Sequence, residues 1–151
     1  MSDQLPAQDS TMIRWSILYD GLSQPPIDVD LLLIDLRAYF ETEVIADDCY
    51  EYEIRCKRDV LDRLERQGKV FRHKDVLLAD IRNKQTVYGD GKTVRFSAAT
   101  GIAFEGVICQ RQVLLQCRSR NEPETEAVAE TIRHTIESCV NHAVTIKKYA
   151  K

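Results

Sequence analysis

The sequence has no run approaching the roughly 18 apolar residues that a membrane-crossing helix needs. Its most apolar stretch, Val29 to Phe40, is interrupted by Asp30, Asp35 and Arg37. The first residues, Met1-Ser2-Asp3-Gln4-Leu5-Pro6, have neither a positive side chain nor an apolar segment, which argues against a secretory signal. No two of the five cysteines stand closer than seven residues, so the CxxC spacing of zinc and redox motifs is missing. Histidines number only three, which leaves few candidates for a general base. Excess charge is also small. With 21 Lys+Arg against 24 Asp+Glu, the net charge is −3, and the global electrostatic case for nucleic acid falls away. No internal repeat or low-complexity segment is present.

What remains has the composition of an ordinary globular chain. It has 151 residues, 44% of them hydrophobic and 30% charged. That length favours one domain, and the apolar fraction is too high for disorder. Residues 1–11 (MSDQLPAQDST) are polar with an early proline and are expected to be a disordered lead. Residues 12–151 are then a single domain. From Met12 to Tyr19, the apolar Ile13, Trp15, Ile17 and Tyr19 alternate with Arg14 and Ser16, a strand period. Pro25-Pro26 close a loop, and Asp28 is placed to cap a helix over 29–40. Apolar residues at 29, 32, 33, 36 and 40 recur there at helical spacing, and Leu31, Ile34 and Tyr39 add further apolar faces. A helix apolar nearly all round is either deeply buried or shared with a partner.

From Cys49 to Lys57 the pattern predicts a strand. Tyr50, Tyr52, Ile54 and Cys56 take one face, and Glu51, Glu53, Arg55 and Lys57 the other. A short helix over Val60–Gln67 follows, capped by Asp59 and ended by Gly68. Val76–Arg82 reads as another strand, and Thr86–Phe96, two β-rich runs around Gly89-Asp90-Gly91, as a hairpin. Ile102–Phe104, Val107–Cys109 and Val113–Cys117 continue the β-rich stretch, with Glu105-Gly106 and Gln110-Arg111-Gln112 as turns or a bulge. Asn121, Pro123 and Glu124 mark the start of a long helix striped by Val128, Ile132, Ile136, Cys139 and Val140. Ala143–Tyr149 closes the chain as a strand. The expected fold is α+β: a mainly antiparallel β-meander sheet packed with about three helices, including the long C-terminal one.

Few side chains suggest chemistry. Gly89-Asp90-Gly91-Lys92 pairs glycines with a lysine, but a strand follows where a phosphate loop would open a helix. Asp47, Asp48, Glu51 and Glu53 form the densest acidic group and read as a solvated strand face. His73 lies in a polar connection, and His134 is off the apolar stripe. The five cysteines read as small buried hydrophobes in strands and a helix. No catalytic residue, metal ligand or cofactor is assigned.

Charge order along the chain is more informative than its total. From Asp28 to Glu53 there are nine acids and one base; from Arg55 to Lys74 there are eight bases and three acids. The basic segment, through Arg55, Arg58, Arg63, Arg66 and Arg72, is a candidate patch for phosphates or for an acidic partner. Neighbouring acids such as Asp47 and Glu51 are its expected partners within the chain or across a subunit interface. The reading that follows is a non-enzymatic, cytoplasmic protein-interaction module (a subunit, adaptor or regulator) that self-associates or binds a protein partner. Its candidate interface is Leu31, Ile34 and Tyr39. The alternatives are a nucleic-acid-associated protein using residues 55–74, and a small enzyme with scattered site residues. No membrane partner is expected.

Overall fold

In the computed structural model, which describes residues 12–69 and 74–150, the alternation around Trp15 becomes strand β1 (Ile13–Asp20). The expected lead, residues 1–11, lies outside the described residues. After β1 come helix α1 (Val29–Arg37), strand β2 (Glu41–Ala46), and helices α2 (Tyr50–Arg66) and α3 (Lys74–Tyr88). Strands β3 (Gly91–Ser97), β4 (Ala103–Cys109) and β5 (Gln112–Ser119), helix α4 (Glu122–Val140) and strand β6 (Thr145–Ala150) complete the order. The architecture is α+β, with six strands and four helices among the described residues. All strand pairs are antiparallel, and the spatial order is β2-β3-β4-β5-β1-β6. No helix among the described residues is long and apolar enough to cross a membrane.

Side-chain alternation sorts the sheet into two faces. Trp15, Ile17 and Tyr19 of β1 register against Cys117, Leu115 and Val113 of β5, and Phe96 of β3 registers against Phe104 of β4. These residues form one apolar layer, closed by Leu32, Leu33 and Leu36 of α1 and by Val128, Ala129, Ile132 and Ile136 of α4. The stripe expected on the long helix therefore points into the main core. Asn121 caps α4, its side chain accepting from the Glu124 N–H at 3.4 Å.

The opposite face carries a second, smaller core. Cys49, Tyr50 and Ile54 at the start of α2 join Leu78 and Ile81 of α3 against Cys109, with Val107 and Tyr88 beside them. The α2 and α3 helices pair mainly with each other and reach the sheet through this cluster. The β4–β5 turn anchors the region. Cys109 registers against Gln112, leaving Gln110-Arg111 as a two-residue turn. The Gln110 and Arg111 N–H groups donate to the Asp90 and Tyr88 carbonyls, and the Ile27 N–H donates to Gln110 O.

The segment from 49 to 96 departs from expectation. Cys49–Lys57 and Val76–Arg82 are helical, not strands, and the short helix at 60–67 is the second half of one 17-residue helix. The alternation at 50–57 is also part of a longer helical stripe, Tyr50, Ile54, Leu61, which only a full-length window exposes. Acids in the first turn of α2, bases in its last turn, and Asp48 accepting from the Tyr52 N–H at 2.7 Å favour the helix. Thr86–Tyr88 end α3, Gly89 follows at φ +83°, and β3 pairs with β2 and β4, so 86–96 is no hairpin. Glu105-Gly106 lies inside unbroken β4. Strand β2 was not anticipated, α1 stops at Arg37 rather than Phe40, and the helix count is four rather than about three.

Candidate functional site

Helix α1 is built to be apolar on two sides. Asp28 caps it, accepting from the Leu31 N–H at 3.1 Å, while Asp30 in the first turn and Arg37 in the last suit the helix dipole. Leu32, Leu33 and Leu36 are buried in the main core. Leu31 is 48% exposed, Ile34 59% and Tyr39, just past the helix, 63%. On a helix at 100° per residue, positions 31 and 34 lie opposite the buried set. Beside them a shallow depression of about 440 Å³ runs between α1 and α4, lined by Ile34, Asp35 and Tyr39 on one wall and His134, Thr135 and Ser138 on the other.

The basic candidates sit elsewhere. Arg55, Arg58, Arg63 and Arg66 are all exposed on α2, and Arg72 lies outside the described residues. Their helical angles span less than half a turn of the circumference, so the four share one side. Pairing with the preceding acidic block is not what the fold provides. Glu51 takes Arg82 at 3.1 Å, Asp47 takes Lys92 at 3.2 Å, and Glu43 takes Arg95 at 2.9 Å. Two acids in the second half of α2 are engaged by Lys74, 2.8 Å from Asp62 and 3.0 Å from Glu65. Lys74 also holds the Asp62 carboxyl below its ordinary pKa through that hydrogen bond. Among the described residues the four arginines make no ion pair; Arg82 meets the acidic block across the α2–α3 contact, and Lys92 and Arg95 meet it from β3.

A second basic surface lies on the sheet face left open beyond the α2–α3 cluster. Arg14 registers against Arg118 on β5 and Tyr149 on β6, and Ser16 against Lys147. The Arg14 guanidinium stands 4.7 Å over the Tyr149 ring. Reading charge along the chain could not find this group, since its members come from three strands that only the sheet brings together.

A polar constellation in the second core joins Cys49, Cys109 and Tyr50. The Cys49 and Cys109 Sγ atoms are 3.0 Å apart, and the Tyr50 hydroxyl is 3.3 Å from Cys109 Sγ. Both thiols are buried, as is Cys117 on the other face, whereas Cys139 is half-buried and Cys56 is exposed on α2. The expectation that all five cysteines are buried therefore fails at Cys56, which faces away from the α2–α3 contact. Donation from Cys49 pulls the Cys109 pKa down, while that same hydrogen bond, and after it burial, pushes Cys49 up. Among the described residues no three His, Cys, Asp or Glu side chains converge as a metal site would require.

Tyr50 provides a pH test of this cluster. Burial, then its hydrogen bond to Cys109, raises its pKa above the ordinary 10.0. The folded chain thus holds a proton that the unfolded chain releases near pH 10, and the associated stability is complete below that value and lost as pH rises above it. Denaturant midpoints measured at pH 8 and pH 11 should fall further for wild type than for Tyr50→Phe. Equal falls would show that Tyr50 ionises freely in the fold. Compared with protein-family models, curated proteins and solved structures, the chain matches none.

Proposed function

We propose that this protein is a non-enzymatic interaction module, working in the cytoplasm, whose α1 face binds a second copy of the chain. The observation that carries the reading is the exposure of Leu31 and Ile34 on the short helix, and of Tyr39 just past its end, opposite a buried side formed by Leu32, Leu33 and Leu36. Each such side chain gains about 1.5–3 kcal/mol when fully buried. Three residues cannot furnish the roughly 800 Å² per partner of a stable interface. The depression beside α4 extends the surface, and His134, Thr135 and Ser138 supply a polar rim. Five unlinked cysteines fit a reducing compartment.

Light scattering should give a mass above that of the 17.4 kDa chain. Leu31→Glu and Ile34→Glu, tested singly, should each weaken association at least about tenfold, by placing an unpaired carboxylate in the contact, with the circular dichroism spectrum unchanged. A wild-type monomer, or an oligomer indifferent to both changes, would sink the proposal. A second reading is favoured by the exposed arginines of α2, which make no ion pair among the described residues: a polyanion, such as nucleic acid, bound along that helix. Four phosphate contacts would give a log–log salt slope of about −4 on duplex DNA, reduced by about one for each Arg→Ala.

A further inference from the structure

The structure assigns a reactive dithiol: we propose that Cys49 and Cys109 form a reversible disulfide by exchange with a low-molecular-weight disulfide, and that the bond staples the α2–α3 pair to the sheet. Three observations carry this. The two sulfurs stand 3.0 Å apart, so about 1 Å of closure brings them to bonding distance. Cys49 immediately precedes α2 and Cys109 ends β4, at the small cluster where the helical pair meets the sheet. Finally, two polar contacts meet on one sulfur: Cys49 and the Tyr50 hydroxyl both reach Cys109 Sγ, while Cys49 Sγ also lies 3.9 Å from the Ile108 carbonyl oxygen, in a pocket lined by Ile54, Leu78 and Ile81. Cys117 packs in the main core on the opposite face of the sheet.

The chemistry follows from that convergence. Two donors on Cys109 stabilise its thiolate, and its pKa is lowered accordingly, so Cys109 is the attacking group. Its sulfur attacks one sulfur of the small disulfide RSSR, whose S–S bond breaks. The first RS⁻ leaves and takes up the proton that Cys109 had released. Cys49 then loses its proton and attacks Cys109 Sγ, breaking the mixed disulfide; the second RS⁻ leaves and takes that proton. One protein disulfide and two RSH result, with two electrons passed from the protein thiols to RSSR. Both sulfurs are buried, so the exchange waits on a local opening of the second core that admits the small disulfide to Cys109, and the small area of that core makes this easier than global unfolding.

The test uses the full chain, native, in glutathione buffers of increasing oxidised fraction, followed by acid quench, alkylation and mass analysis. Two of the five thiols should disappear together, a peptide map should show Cys49 joined to Cys109, and dithiothreitol should restore both. Closing a loop this long should raise the thermal midpoint by about 10 °C and slow proteolysis within 50–88 at least tenfold. Cys56→Ser should leave the bond intact, and Cys49→Ala should abolish it. Retention of both thiols at full oxidation, or a map placing the bond at Cys56 or Cys139, overturns the proposal. So does a Cys49–Cys109 bond that leaves both the midpoint and the proteolysis of 50–88 unchanged. Because the wild-type map decides the pairing, a Cys49→Ala chain that fails to fold does not weaken the test, and none of these readouts depends on self-association through α1.

Discussion

Gly106→Ala is expected to destabilise the protein by about 3 kcal/mol or more, at the upper end of overpacking costs. Gly106 lies in β4 between Val94 on β3 and Leu115 on β5, so the strand is held on both sides. A Cβ at this position would stand 2.0 Å from the Leu114 carbonyl oxygen and 3.1 Å from Leu115 Cα. Those are backbone atoms of a paired strand, and no rotamer change can move them aside. Either the β4–β5 ladder parts or the main core shifts under it. Gly68, past the end of α2 at φ +88°, provides the control: a Cβ there meets nothing within 4 Å. Gly68→Ala should cost only the left-handed backbone penalty, about 1–2 kcal/mol. Urea denaturation of both variants checks the pair, and a Gly106→Ala chain within about 1 kcal/mol of wild type would refute the argument.

Phe104→Ala should cost about 3–5 kcal/mol, a large fraction of the 5–15 kcal/mol that holds an ordinary domain folded. Phe104 is fully buried and registers against Phe96, also fully buried, beneath α1 and α4. Loss of this ring should lower the stability of the whole sheet in one cooperative transition. Ile54→Ala, in the second core, should cost about 2–5 kcal/mol by the same cavity argument but act locally. The two clusters share no residue, and α2 and α3 make most of their packing with each other. Amide exchange after Ile54→Ala should therefore accelerate through 50–66 and 74–88 while β4, β5 and β1 stay protected. Equal acceleration in β1 would show that the two cores open as one.

The physical origin of the mistaken elements is specific. Helix α2 and the strand expected at Cys49–Lys57 differ in what lies beyond residue 57. Within nine residues, Tyr50, Tyr52, Ile54 and Cys56 satisfy a period of two, while the helical partner of Tyr50 and Ile54 is Leu61. Strand β2 begins with the polar Glu41-Thr42-Glu43 and carries little apolar alternation of its own; its pairing is supplied by β3 from about fifty residues away. The thiol pair was illegible for a related reason. Cys49 and Cys109 are sixty positions apart, and their contact exists only because α2 starts beside the end of β4, where the β4–β5 turn begins.

The sequence by itself determined the elements whose instructions are local. These are the alternation of β1, the Asp28 cap and apolar stripe of α1, the Asn121 cap and core stripe of α4, the left-handed glycine after α2, and a turn or bulge within Gln110-Arg111-Gln112, which the fold narrows to a two-residue turn at Gln110-Arg111. Capping, helical periodicity and turn chemistry act over a few residues and are written where they act. The outward side of α1, Leu31 and Ile34, also follows from helical spacing, but only the tertiary structure decided which acids meet which bases and which cysteines touch. Those are long-range pairings, selected by the order of strands in the sheet. The β2–β3 pairing brings Lys92 to Asp47 and Arg95 to Glu43, the α2–α3 pairing brings Arg82 to Glu51, and the four described arginines of α2 stay exposed.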